Sequence, residues 1–426
     1  MQYTVTELVL KSGSRGLIVN APDAPVISTQ FHFRAGSRFV KDFRTKWETA
    51  HIMEHMAFGA NNGFKSAHEY DAVFTRNGAY HNAYTTDISL CYVADCADFE
   101  WDRILELQRT AICDPLFVSE EFEGEFGNVK SELTGYLSQP HQVLWPRMSQ
   151  EIGENTLTFQ ERLDVMNNIT VADIREHYRR THTAGNLRFV VAGNFDGRLT
   201  KLKEILRSWD LPSGDRPPIP VDELHSFEPF AIRRKDVPDI TFGWTMNIPR
   251  RLSDDEAEAM DALNHILNGT LHSRIQGEAR KRGLAYYIWS DTSNYEHNSS
   301  WEFGAPAESD KLNQVFDLIV RELRRIQDGD ISEDEIEAAK AYALGRHQMG
   351  IQTAGQLNNW LASRYFFDGR IEDFATQPDK IRAITRDRII TTAREFFAAN
   401  CWGMGLYGNT EKATAEKLND KLVKLF

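Results

Sequence analysis

Cysteine is scarce in this 426-residue chain. The four present, Cys91, Cys96, Cys113 and Cys401, form no CxxC pair. That spacing suggests neither a zinc knuckle nor a disulfide framework, and reads as buried free thiols in a reducing compartment. Positive charge is also in deficit: 49 Lys and Arg against 62 Asp and Glu give a net charge of −13. Phosphate binding needs concentrated basic side chains, so nucleic acid is not an expected partner. No apolar run reaches the ~20 residues of a transmembrane helix. The N-terminal MQYTVTELVLKSGSRGLIV has acidic and polar residues where a signal peptide needs a basic patch and then an apolar run. The expectation is a cytoplasmic protein with no membrane partner.

What remains is an ordinary globular composition, 41% hydrophobic and 26% charged, long enough for two domains. Proline is concentrated in LPSGDRPPIPVDE, residues 211–223, a density that no helix interior or central strand accepts. The segment 211–225 is therefore read as a linker between an N-terminal domain, 1–210, and a C-terminal domain, 226–426. Short β-branched runs such as GLIVN, VISTQFHF and LRFVVAGNF read as strands. WETAHIMEHMAFG reads as a helix closed by Gly59 at the C′ position. SEEFEGEFGNVKSELTGYL, with acidic residues following Ser119, reads as another helix.

The second half repeats the first. ITVADIREHYRRTHTAGNLRFVVAGNF (169–195) matches ITRDRIITTAREFFAANCWGMGLYGNT (384–410). HIMEHMAFGA aligns with DALNHILNGT, and LFVSEEFEGEFGNVKSEL with GDISEDEIEAAKAYALG. Three echoes in one order indicate a duplicated α/β unit. The helix at 51–59 persists in the second copy, but His51, Glu54 and His55 become Asp261, Asn264 and His265. The loss of that set from one copy favours a special role for it in the other.

Residues i and i+4 share a helix face, so His51 and His55 can direct two imidazoles at one ion. Glu54 flanks the same face, where its carboxylate can reach a water on that ion. This is the logic of the HxxEH motif. A catalytic zinc takes three protein ligands and keeps one open position. The 119–137 helix offers Glu125 and Glu132, two turns apart on one face. Either can approach the metal while the other orients a ligand, and the spacing does not choose between them. Glu120, Glu121 and Glu123 read as a solvated face.

HxxEH followed by these two glutamates resembles the pitrilysin family of zinc metallopeptidases, which includes insulin-degrading enzyme and the mitochondrial processing peptidase. The resemblance implies an α+β fold of two homologous domains, each a largely antiparallel sheet packed against helices. It implies one zinc per catalytic site on His51, His55 and Glu132, with Glu54 as general base and Glu125 supporting a ligand. NGAYHNAYTTD resembles the family's edge strand, which makes Asn82, Ala83, Tyr84 and Thr85 substrate-binding; taken as an ordinary strand it leaves His81 a surface residue. RKRGLAYYIWS resembles the family's Arg…Tyr motif and points to Arg280 and Tyr286. Read as a strand, this stretch turns Tyr287 to the opposite face.

The function so implied is a zinc endopeptidase cutting peptides or unfolded segments. Half-length members of the family pair to form a chamber. The expectation is therefore a homodimer in which Arg280 and Tyr286 act in trans, or a heterodimer with a homologous subunit. The rival is a non-catalytic, peptide-binding subunit of such a complex.

Overall fold

The computed structural model describes residues 2–399 and 401–426. Its chain divides into two compact units. One comprises Met1–Thr134, Gln160–Pro220 and Met349–Phe374; the other comprises Gly135–Phe159, Val221–Gln348 and Ala375–Phe426. These units differ from the contiguous halves 1–210 and 226–426. Each takes in a helix from the other half of the sequence, because an apolar helix face follows the sheet it can cover rather than chain position.

The first unit holds a six-stranded sheet. Its strands are β1 (Thr4–Val9), β2 (Arg15–Asn20), β3 (Val26–Phe33), β4 (Tyr80–Thr85), β5 (Leu90–Ala97) and β6 (Arg188–Gly193). The spatial order is β1-β2-β6-β3-β5-β4, and all pairs are antiparallel except β2 with β6. The second unit holds β7 (Phe230–Arg233), β8 (Ile240–Ile248), β9 (Trp289–Asn294), β10 (Ser299–Ala307) and β11 (Trp402–Gly408). Their order is β7-β11-β8-β10-β9, with β11–β7 the parallel pair. Without β1, the first sheet has the same order and the same single parallel pair as the second. The duplication read from three sequence echoes is thus a duplication of topology.

The echoes fold alike. Thr170 caps the helix Val171–Thr181 through a reciprocal capping box, and Thr385 caps Arg386–Ala398 by accepting from the Arg388 amide. The following strands end in Gly193 and Gly408, with φ of 150° and 139°. A Cβ on either would fall within 3 Å of a carbonyl, that of Val26 or Asp239, which explains the repeated glycine.

Both sheets are covered on two faces. In the first unit the exchanged helix Ala354–Asp368 sets Leu357, Leu361 and Tyr365 against Leu17, Val19, Val190 and Ala192. Asn358, fully buried in that contact, donates to the carbonyls of Ser28 (2.8 Å) and Val190 (3.2 Å). In the second unit the exchanged helix Pro140–Ile152 brings Leu144 and Met148 against Tyr407. β4 closes one end of the first sheet, pairing only with β5. All four cysteines are free, with Cys91 and Cys96 buried. Among the described residues, no helix is long and apolar enough to cross a membrane.

Candidate metal centre

The motif helix runs Thr49–Ala57 and buries Ala50, Ile52, Met53 and Met56. Its other side carries His51 and His55, each mostly buried, with Glu54 at 9% exposure. Gly59 follows the helix but is not a left-handed cap; Phe58 takes the C-cap with φ −91°. Glycine at 59 leaves room for a neighbouring carboxylate and for the Met56 carbonyl. A Cβ there would lie 2.3 Å from Glu121 Oε2. That carboxylate accepts from the Ala60 amide (2.8 Å), and its other oxygen accepts from the Ala67 amide (3.0 Å). Glu121 therefore fastens the loop after the motif helix, and is no mere member of a solvated face.

The glutamate helix runs unbroken from Ser119 to Tyr136. Gly127 and Asn128 do not interrupt it. The Asn128 amide donates to Glu125 Oε2 (3.1 Å). Here the structure separates the two glutamates. Glu125 Oε2 is 3.0 Å from His55 Nδ1. Glu132 Oε2 instead lies 3.6 Å from His51 Nε2 and 3.9 Å from His55 Nε2. One atom from each of His51, His55 and Glu132 falls within a 4.8 Å cluster, the one such set of three metal-capable groups among the described residues.

The remaining imidazole nitrogen is also held. His51 Nδ1 is 2.9 Å from Glu48 Oε2. Glu48 is fully buried and receives Arg162 Nε at 2.5 Å. Both imidazoles thus turn Nε2 to the common point and Nδ1 to a carboxylate, the usual arrangement around histidine ligands. Two imidazoles and a carboxylate form a donor set suited to zinc. Sequence reading passed over Glu48 and Arg162. The signal for Glu48 was its place three residues before His51, on the same helical face.

The electrostatics follow from these contacts. Burial disfavours the charged form of His51, but the hydrogen bond and charge of Glu48, with the charges of Glu54 and Glu132, outweigh it and raise its pKa. The hydrogen bond from His55 holds the Glu125 carboxyl below its ordinary value, against desolvation. Burial raises the Glu54 carboxyl, while His51, the Thr85 hydroxyl and His55 pull it back. Thr85 Oγ1 makes no hydrogen bond of standard geometry, so its influence on Glu54 is one of proximity.

Thr85 belongs to β4. His81, two turns of the pleat earlier, is no surface residue. It packs against Phe58 (4.7 Å between centroids) and Phe74 (4.4 Å), and its Nε2 is 3.0 Å from Asp71. Ala83 is buried. Residues 81, 83 and 85 share one face of the strand, so Asn82 and the exposed Tyr84 lie on the opposite face. Of the four candidate substrate-binding residues, Ala83 and Thr85 are on the face that meets the motif helix.

Arg280 and Tyr286 meet in the second unit. The Arg280 guanidinium lies over the Tyr286 ring, 4.1 Å from its centroid, and Nη1 donates to the Tyr286 carbonyl at 3.4 Å. Tyr286 and Tyr287 do not lie on opposite faces of a strand. Both precede β9 in irregular chain after Gly283 (φ 63°), and both are exposed, at 75% and 52%. No strand alternation separates them; the contact with Arg280 singles out Tyr286.

The second copy of the motif is a packing element. Asn264, opposite Glu54, donates to Thr292 (3.0 Å) and accepts from the Trp301 indole (2.9 Å). His265 stacks on Tyr342, 4.0 Å between centroids.

Comparison with known proteins agrees with this division. Residues 17–161 match the family model for insulinase (peptidase family M16), and residues 168–342 match that for the peptidase M16 inactive domain. The chain belongs to the M16 peptidases, the pitrilysin-type family. The inactive-domain match falls on the half that carries Asn264 in place of a glutamate. Similar sequences include uncharacterised zinc proteases of Streptomyces coelicolor and Rickettsia felis. The first is 23% identical over 363 residues, 79% of this chain and 77% of the relative. The second is 22% identical over 396 residues, 92% of this chain and 94% of the relative. The fold is that of a protease from Helicobacter pylori (TM-score 0.84, 18% identity, 96% of this chain and 100% of that one). It is equally that of a peptidase M16 inactive domain from Pseudomonas fluorescens (TM-score 0.80, 15% identity, 96% and 98%).

Proposed function

We propose that the protein is a zinc-dependent endopeptidase acting on peptides or unfolded segments. The observation that carries this reading is the convergence of His51 Nε2, His55 Nε2 and Glu132 Oε2 beside a buried Glu54. His51, His55 and Glu132 would hold the zinc, and Glu125 would orient His55. A bound zinc supplies Lewis-acid polarisation of the scissile carbonyl and acidifies water. Glu54 accepts the proton of the attacking water and delivers it to the leaving amine. Its burial suits both steps, since a raised pKa brings the carboxyl closer to the working pH. The free edge of β4 offers main-chain groups to an extended peptide, a mode of binding that depends little on side chains. Arg280 orients the substrate backbone, and the exposed Tyr286 hydroxyl donates to the oxyanion. Two chains pair, so that Arg280 and Tyr286 of one serve the zinc site of the other, in a chamber that admits peptides and excludes folded proteins. A homodimer in the cytoplasm is the simplest form.

Digestion of a library of unstructured peptides, read by mass spectrometry, tests this reading. Cleavage is expected without chelator, lost with it, and regained on adding zinc. A library left intact under all three conditions would instead support the non-catalytic, peptide-binding subunit.

A further inference from the structure

His55 and His51 are held differently. His55 leans on Glu125, a half-exposed carboxylate on the facing helix. His51 leans on Glu48, which precedes the motif helix and has no exposure. A carboxylate without water is costly unless paired. Arg162, on the helix Phe159–Val165, supplies the pair at 2.5 Å. Arg162 is itself steadied against the buried Trp47 ring, 5.9 Å from its centroid. The order Trp47, Arg162, Glu48, His51 leads from the core to the metal-facing nitrogen. In the second copy, where Asp261 replaces the histidine, the corresponding Glu258 is half-buried and bonded to Gln377.

We infer that Glu48 and Arg162 are positioning residues that fix the rotamer and tautomer of His51 and thereby set the zinc affinity of the site. The inference rests on the proposal that His51 is a zinc ligand. An ionised Glu48 can only accept, so Nδ1 must donate to it and Nε2 is left with its lone pair toward Glu132. Arg162 donates to the Glu48 oxygen that does not face His51, which stops the carboxylate from rotating.

The test measures zinc affinity by competition with a chromophoric chelator. Glu48→Gln preserves volume and one acceptor oxygen but loses the charge, and should weaken zinc binding about 10–100-fold. The double variant Glu48→Gln/Arg162→Gln also removes the guanidinium whose carboxylate at position 48 the single change takes away. It should recover thermal stability relative to Glu48→Gln while zinc binding stays weak. Wild-type affinity in the single variant, or its return in the double, would overturn the inference, because Glu48 would then merely neutralise Arg162. Nitrogen NMR of the metal-free wild type needs no variant to fold. His51, with its ring neutral, should carry its proton on Nδ1, and a proton on Nε2 would count against the inference. A wild type with the Nδ1 tautomer that takes up no zinc would overturn the proposed function and leave the Glu48 contact standing.

Discussion

Replacing Glu54 with glutamine is expected to lower peptide hydrolysis about 10²–10⁴-fold and to leave zinc content unchanged. The amide keeps the size of the side chain but cannot take a proton from water. Glu54 is one residue before His55, and its carboxyl is buried beside Thr85, outside the set of atoms that converge from His51, His55 and Glu132. Loss of both activity and zinc would place Glu54 among the ligands. Full activity in the variant would remove it as the base. The measurement is kcat/KM on one unstructured peptide, with zinc determined on the same samples.

The second large effect concerns Arg280 and Tyr286. Removing one oxyanion donor costs about 10²–10³-fold in kcat, so Tyr286→Phe should fall in that range with KM less affected. Arg280→Ala should lose activity as well, since it removes both the proposed substrate contact and the guanidinium packed on the Tyr286 ring. If the pair serves the partner's zinc site, mixing Glu54→Gln with Arg280→Ala chains creates mixed dimers. Each mixed dimer has one complete site, formed by the Glu54 of one chain and the Arg280 of the other. Free exchange of twofold-related subunits should then restore about a quarter of wild-type activity. Two inactive variants that remain inactive after exchange would contradict action in trans. Tyr287→Phe is the matched control, expected to change little.

Much of this site is legible along the chain because helices carry their own period. The i, i+4 pairing of His51 and His55 needs only the helix, and the interval from Glu125 to Glu132 needs only a second one. Their separate contacts depend on how the two helices are rotated about their axes, which periodicity does not contain; hence Glu125 meets Nδ1 while Glu132 meets Nε2. Arg162 was missed for a related reason: it comes from a separate segment and meets Glu48 only once the chain folds. Gly59 misled because a glycine after a helix suggests a left-handed cap, whereas here it makes room for Glu121. The tyrosine pair misled because an aromatic run before a strand was read as the strand itself. The exchange of the helices Pro140–Ile152 and Ala354–Asp368 was also hidden, since an apolar stripe announces burial without naming the sheet beneath it. The duplication itself was visible beforehand because duplicated caps and Gly-Asn turns recur at matching places, whereas the shared strand order was not.

The most direct test is the zinc bound per chain, measured by elemental analysis after dialysis against limiting zinc, in the wild type and in Glu132→Gln. A site built from His51, His55 and Glu132 predicts about one zinc per wild-type chain and little or none in the variant. A wild type without zinc, or a variant that retains it fully, would contradict the assignment.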